Sequence, residues 1–460
     1  VSPSPAASEH DIAVIGGGAS GVMVVIQLLQ RARTPLRVAL FQPRAELADG
    51  VAYATRRPEH LLNVPAGKMS LFPDEPGDFV DFLLANGLID APAQDLARRY
   101  VPRMHFAAYL RARLAQARAD SVAQLQVVDA EVQAMVPEGL RHTLQMRDGQ
   151  QFNAGQVVLA VGNALRPLPL RGANALPPTQ RLEAWDTAGI AEVPVDAAVA
   201  IIGSGLSMVD SAVTLASRGH RGAIHVISRH GLLPLPHVEA APFDFDPAPL
   251  LAMSLRARMR ALRAHVADAA RVGQPWQAVM ERLRPMGQAL WLSLGEADQR
   301  RFLRHVVRYW DVHRHRIDPG VHAQVQALRD SGQLRLHRAR LDTAWAAGAC
   351  VRIEGRDHDG APLHLEVQRI INATGVEMRV QAMRSALLQQ LLGEGLAAPG
   401  PHGIGIDSSP AGCVVNAAGR ADPRLHVLGS LRVGSLWESL AIPELRQQAQ
   451  QIALALTAPA

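Results

Sequence analysis

Gly16, Gly18 and Gly21 stand at the spacing Gly-x-Gly-x-x-Gly, between the apolar run Ile12-Ala-Val-Ile15 and a helical pattern from Ala19 onward. At that place the first glycine permits a tight turn, the second lets the backbone approach a pyrophosphate, and the third lets the helix pack close to the strand. The helix N-terminus then offers free N–H groups and the positive end of its dipole to phosphates. A second turn, Gly203-Ser204-Gly205, follows the strand pattern Val199-Ala-Ile-Ile202 but carries Met208 where the third glycine would stand. Met208 is expected to hold that helix slightly off its strand. Two such turns a domain's length apart point to two dinucleotides in one protein. In soluble enzymes that pairing usually means a flavin and a nicotinamide exchanging a hydride.

The residues after each second strand refine the assignment. Phe41-Gln42 stands where an acid would take the ribose hydroxyls; Gln42 can donate and accept there without charge. Arg229 follows the strand Ile224–Ile227, where a 2′-phosphate would sit, and a guanidinium forks onto phosphate oxygens. This favours NADPH over NADH; the alternative is a surface arginine in an arginine-rich chain. The stretch His60-Leu-Leu-Asn-Val-Pro-Ala-Gly-Lys-Met69 is specific for a loop. Asn63 and nearby amides could face a flavin's pyrimidine edge. Lys68 is the chain's sole lysine, either kept for its compact ammonium or exposed without a role. Asn63 and Lys68 are the catalytic candidates. Arg304 to Arg316 is either an anion clamp, for NADPH phosphate or an acidic substrate, or a solvated face anchored by Tyr309 and Trp310. No His pair with a supporting carboxylate suggests a metal.

These residues need elements to place them. The pattern predicts a strand at 11–16, a helix at 19–31 and a strand at 36–41. A long loop spans 49–76, with amphipathic helices at 78–87 and 105–118. Strands of an antiparallel insert are expected at 125–136 and 144–152, and a strand ending in a tight turn at 157–162. The Pro/Gly-rich run 166–178 marks the domain crossover. After the second turn, residues 247–330 read as mostly helical and strands return around 334–353. Ile370–Gly375 is expected to lead back to the first domain. Leu425–Gly429 is a last strand and 443–456 a closing helix. The expected fold is α/β: two Rossmann-like dinucleotide-binding domains, for FAD and NADPH, with a helical insertion. Its parts are 10–165 for FAD, 195–365 for NAD(P)H with the insert at about 245–330, and 366–460 completing the FAD domain.

Composition excludes several classes. The chain has 460 residues, 48% hydrophobic and 19% charged, and can bury large cores. Its net charge of +5 rests almost wholly on arginine, which fits a GC-rich genome better than nucleic-acid binding; 4% aromatics also argue against base stacking. Two cysteines, Cys350 and Cys413, form no C-x-x-C, which excludes a redox dithiol and a cysteine zinc site. The first residues, Val1 to Ser8, carry neither a basic nor an apolar signal region and read as a mobile tail. No apolar run is long enough for a transmembrane helix. A cytoplasmic location is expected.

Longer stretches resemble a known family. They are Gly50-Val-Ala-Tyr53, His60 to Pro65, Lys68-Met-Ser70, Gly203 to Asp210, Gly219 to Gly222, Ser228 to Pro234, Tyr309 to Arg316, Ile371 to Gly375 and Leu436 to Arg446. Together these are similar to the bacterial FAD/NAD(P)-binding family that includes a flavin-dependent urate hydroxylase, a distant cousin of the N-hydroxylating and Baeyer–Villiger flavin monooxygenases. The resemblance implies FAD at Gly16, Gly18 and Gly21, with the loop around Asn63 near the flavin. It also implies that Gly429-Ser430 through Trp437-Glu438 close over the FAD. Ser20, Tyr53, Met69, Gly162, Ser204, Thr374 and Gly375 complete the candidate cofactor contacts. The chain departs from related patterns at Ser430, where an Asp is frequent, and at Gln368, before the Ala-Thr-Gly run.

The resemblance implies an NADPH-dependent flavin monooxygenase in which O₂ adds at the flavin C4a and the hydroperoxide oxygenates a small, electron-rich molecule. Urate is the leading candidate, with N-hydroxylation of an amine or amino acid as the alternative. A flavin reductase passing electrons to a protein or quinone, and a non-catalytic nucleotide sensor, are the competing classes. The expected partners are a small-molecule substrate and O₂, with neither nucleic acid nor membrane; the number of subunits is left open.

Overall fold

The computed structural model describes residues 8–43 and 46–458; most of the expected N-terminal tail lies outside them. The chain forms two compact units. The first holds Val1–Arg56, Val64–Ala164 and Glu377–Ala460; the second holds Arg57–Asn63 and Leu165–Val376.

In the first unit the chain runs through β1 (Ser8–Ile15), α1 (Ala19–Arg31), β2 (Arg37–Phe41), α2 (Arg103–Asp120), β3 (Gln124–Val128), β4 (Val132–Glu138), β5 (Arg141–Met146) and β6 (Gln151–Leu159). β1 lies parallel between β2 and β6, and β3 continues the parallel sheet beyond β2. Ile12, Val14, Val38 and Leu40 are fully buried, as strands covered on both faces require. The segment expected as one strand over 125–136 is two: β3 joins the parallel sheet, and β4 turns away to pair antiparallel with β5. The strands expected at 144–152 and 157–162 also divide differently, because β6 runs unbroken along β1. Its other edge is shared, by β5 at Phe152 to Ala154 and later by a strand from the far end of the chain.

The second unit contains β7 (Arg181–Glu183), β8 (Val199–Ile202), α3 (Leu206–Ser217), β9 (Ile224–Ser228), α4 (Leu255–Arg271), α5 (Pro319–Asp330), β10 (Leu334–Ala347), β11 (Cys350–Asp357), β12 (Pro362–Val367) and β13 (Arg369–Asn372). Its sheet order is β12-β11-β10-β9-β8-β13-β7. α3 and α5 are the crossovers into parallel β9 and β10. Between α4 and α5 come short helices at Trp276–Leu283, Gly287–Leu292, Glu296–Arg301 and Val307–Arg314, around a small core of Leu250, Ala269, Val279, Leu283 and Leu290.

Two boundaries differ from the sequence expectation. Ile370–Asn372 precedes the return but belongs to the second unit: β13 is a central strand, with Ile370 opposite Ala200 on one edge and Arg181 on the other, and Ile370 and Ile371 are fully buried. The return comes at Glu377, not at 366. In addition, Arg57–Asn63 packs with the second unit. His60 is buried with Nε2 2.8 Å from Thr214 Oγ1 on α3, and Leu61 packs on the β8/β13 core.

Back in the first unit, the chain adds β14 (Cys413–Val415), β15 (Ala421–Val427) and α6 (Ile442–Thr457). β15 pairs parallel with β6, Leu425 opposite Val157. No helix among the described residues is long and apolar enough to cross a membrane.

Candidate dinucleotide sites

The first turn is locked by backbone. Gly16 has φ +109°, and a Cβ there would sit 2.3 Å from the Ala160 carbonyl oxygen at the end of β6. A Cβ on Gly21 would sit 1.9 Å from the Gly16 carbonyl oxygen. Neither position accepts a side chain, so α1 rests directly on the turn, as the fingerprint requires. Gly18 caps α1 with no side-chain cap, leaving the first N–H groups directed to a ligand. Gln42 is brought to this turn, but its Oε1 accepts the Gly17 N–H at 2.6 Å. Its oxygen holds the loop, and the amide NH₂ is what it can offer a ribose.

The segment from Glu46 onward closes on the same turn. Ala48 donates its N–H to the Gly17 carbonyl at 2.8 Å, in the left-handed region at φ +70°. A non-glycine residue there costs roughly 1–2 kcal/mol and persists only when its surroundings enforce it. They do so here: buried Asp49 receives Arg111 at 2.6 Å and Arg56 at 3.0 Å. Tyr53 ends the adjoining helical turn and packs on Phe106.

The carboxyl ends of β6 and β15 complete the site. Ser430 Oγ donates to the Gly162 carbonyl at 2.8 Å, and a Cβ on Gly429 would lie 3.2 Å from Ser20 Oγ. Gly16, Gly18, Ser20, Gly21, Gln42, Gly162, Gly429 and Ser430 are therefore gathered at one edge of the sheet. Gln448 on α6, which sequence reasoning missed, ties this edge together. Its Oε1 accepts the Gly429 N–H at 3.1 Å and its Nε2 donates to the Ser439 carbonyl at 3.0 Å. The loop between those contacts carries Trp437, at φ +60°, and Glu438. Only the neighbouring Gly-Ser motif was readable; a buried glutamine on a closing helix gives no local signal.

The second turn repeats the interlock. A Cβ on Gly203 (φ +111°) would lie 2.2 Å from the Ala373 carbonyl oxygen, matching Gly16 against Ala160. Thr374 and Gly375 thus belong to the second turn as Val161 and Gly162 belong to the first. Thr374 Oγ1 donates to Asn372 Oδ1 at 2.7 Å. Gly205 caps α3, with no protein atom within 4 Å of a Cβ built there. Met208 is fully buried in the core of this unit. The Ser204 hydroxyl is engaged in bracing, 2.6 Å from the Leu232 carbonyl and 2.9 Å from Ser228 Oγ, so its backbone N–H remains for a phosphate.

That brace shapes the loop after β9. Burial first, and then Arg229, Arg308, Arg338 and Arg340, hold the His230 imidazole below its ordinary pKa. The positive charge of these four arginines collects near His230, in the loop that Ser204 braces. Arg308 comes from the 304–316 segment; its neighbour Tyr309 lies 6.1 Å from His230. A π-helical turn at Phe302–Val306 inserts a residue ahead of them, and Trp310 packs inward on Phe302. Arg304 lies within that π turn and Arg308 in the helix after it, where Arg308 pairs with Asp311 at 3.2 Å.

The two catalytic candidates are held by different units. The Asn63 carbonyl accepts from His237 at 3.0 Å within the second unit; burial and Arg316 push the His237 imidazole down to about 4, so it is neutral at pH 7. Lys68 is exposed on a short turn in the first unit, between Gly67, which packs on Ala97, and buried Met69. Among the described residues no His/Cys/Asp/Glu group could hold a metal ion.

Residues 13–164 match the FAD-NAD(P)-binding family. The first glycine turn lies inside that match. No curated protein matches the sequence. Over nearly its whole length the chain shares its fold with solved structures. The reduced ornithine hydroxylase of Pseudomonas aeruginosa superposes with a TM-score of 0.65 at 18% identity, over 97% of this chain and 98% of that one. The Kutzneria sp. 744 ornithine N-hydroxylase, with reduced FAD, NADP⁺ and L-ornithine, gives 0.65 at 15% identity over 97% and 99%. L-lysine 6-monooxygenase of Pseudomonas syringae gives 0.65 at 17% over 97% and 99%.

Replacing Gln448 with leucine leaves the Gly429 N–H and Ser439 carbonyl buried and unpaired, at about 1–3 kcal/mol each. FAD retention by the Gln448→Leu protein, measured by reconstitution of the stripped apoprotein, is expected to weaken at least about tenfold; wild-type affinity would refute the bracing role.

Proposed function

We propose that this chain is an FAD- and NADPH-dependent monooxygenase that hydroxylates the nitrogen of a small amine or amino acid. One observation carries the reading: the fold is similar to those of an ornithine hydroxylase and a lysine 6-monooxygenase over 97% of the chain. That comparison favours the amine over urate, which rests on motif resemblance alone. The absence of a C-x-x-C removes the dithiol chemistry of disulfide reductases, which share the fold more distantly.

The residues fit the cofactors. The cradle of Gly16, Gly18 and Gly21, with Ser20, Gln42, Gly162, Gly429 and Ser430 around it, takes FAD. The turn Gly203–Gly205, with Thr374 and Gly375, takes NADPH. FAD supplies oxygen activation and NADPH the hydride; the chain binds, orients and shields them. Amides at the starts of α1 and α3 neutralise phosphate charge. Arg229, Arg308, Arg338 and Arg340 form a basin for the 2′-phosphate, where forked charge-assisted hydrogen bonds are strongest. Asn63 and Lys68 remain the candidates for holding the substrate.

Arg229→Ala is expected to raise the KM for NADPH roughly 10–100-fold, the loss of a charge-assisted hydrogen bond of about 1.5–3 kcal/mol, and to leave the KM for NADH within about twofold. Equal losses for both nucleotides would place Arg229 outside the 2′-phosphate site.

The substrate class is tested by product coupling. With ornithine, lysine or a simple diamine, hydroxylamine is expected to form in step with NADPH consumed, while urate is recovered intact. Urate loss in step with NADPH would restore urate, and H₂O₂ as the sole product with every amine would favour a reductase.

A further inference from the structure

The charge of this protein is not evenly spread. From Leu255 to Arg316 the chain holds 13 of its 47 basic residues and 5 of its 42 acidic ones. That stretch carries a net +8, so the remainder, with 34 basic and 37 acidic residues, is −3. A genome-wide preference for arginine decides which basic residue is used; it does not gather the charge in one segment.

Most of these arginines are already engaged. Arg258 is buried and donates to the Met253 carbonyl and Ser293 Oγ. Arg271, Arg300, Arg301, Arg308 and Arg316 pair with Asp268, Glu296, Asp298, Asp311 and Glu281. Arg256, Arg260 and Arg263 on α4 differ. All three are exposed, and no ion pair joins them to an acid among the described residues. Their spacing of four and three residues aligns them on one helix face. Ala264, Ala267 and Ala270 continue the exposed face toward the C-terminus. The opposite face of α4 is spent on the insert's own core through Leu262, Val266 and Ala269.

We infer that the outer face of α4 is a docking surface for an acidic helical protein, with carboxylates spaced to meet Arg256, Arg260 and Arg263. The alanine half admits a partner helix at the close interaxial distances of small-residue contacts, roughly 8 Å. The arginine half supplies complementary charge, which speeds encounter and fixes register. Arginine is also the basic residue enriched at protein interfaces. A nucleic acid is the weaker fit, since the exposed face holds no aromatic side chain to stack a base. A membrane is weaker still, because the apolar side of α4 is already buried. This inference does not depend on which substrate is oxygenated.

The probe is a synthetic alanine-rich helical peptide bearing glutamates at i, i+4 and i+7, labelled for fluorescence anisotropy, with a composition-matched scrambled peptide and an oligodeoxynucleotide of equal charge. The holoenzyme is expected to bind the patterned peptide at least about tenfold more tightly than either control and to lose that preference in R256A/R260A/R263A. Alanine is a better helix former than arginine, so that variant is expected to retain its FAD and its NADPH turnover. Equal binding of the scrambled peptide, tighter binding of the oligonucleotide, no binding at all, or the same preference in the triple variant would each overturn the inference. Self-association of the wild type that the triple variant lacks would overturn it too, by naming a second copy as the occupant.

Discussion

Everything at the two sites depends on one steric interlock. In each unit the first glycine of the turn meets a carbonyl from the strand beside it, Ala160 after β6 and Ala373 after β13, at distances no Cβ tolerates. The contact sets where the helix starts and where its free N–H groups point. It also brings a second backbone turn, Val161-Gly162 or Thr374-Gly375, to the edge of the site. Charge plays little part in this geometry: the binding edge is made by omission of side chains, and side chains then brace it from behind.

The two units diverge in that bracing. The first turn is covered: Ala48 is forced into a left-handed conformation against it by the Asp49–Arg111–Arg56 network, and Gln448 clamps the loop from Gly429 to Ser439. A resident cofactor suits such closure. The second turn is open around Gly205 and is braced against a loop that carries Arg229, which suits a nucleotide that binds and leaves. The difference is physical grounds for giving FAD to the first and NADPH to the second.

Much of this was legible in the chain. Both glycine turns, the opening β1-α1-β2, the helical insert and the crossover near Leu165 follow from local pattern, because glycine spacing and apolar periodicity are written in neighbouring residues. What failed was set by distant partners. β13 looked like part of the first domain because nothing local says that Arg181–Glu183 and Val199–Ile202 flank it. β6 looked like two strands because its free edge is divided between β5 and β15. Arg57–Asn63 looked like part of the flavin unit because His60 finds Thr214 about 150 residues later. The hydroxyl of Ser204 and the oxygen of Gln42 each hold their own loop, a use fixed by the fold around them and not written in neighbouring residues.

The most direct test of the two-site account is anaerobic stopped-flow reduction of the yellow protein by NADPH and by NADPH deuterated at the transferable C4 hydrogen. The account predicts single-phase bleaching of the flavin that slows several-fold with deuterium, because one nucleotide hands its hydride to the other within the same chain. A flavin that stays yellow under excess NADPH would contradict it, and would leave both glycine turns as binding sites without a reaction between them.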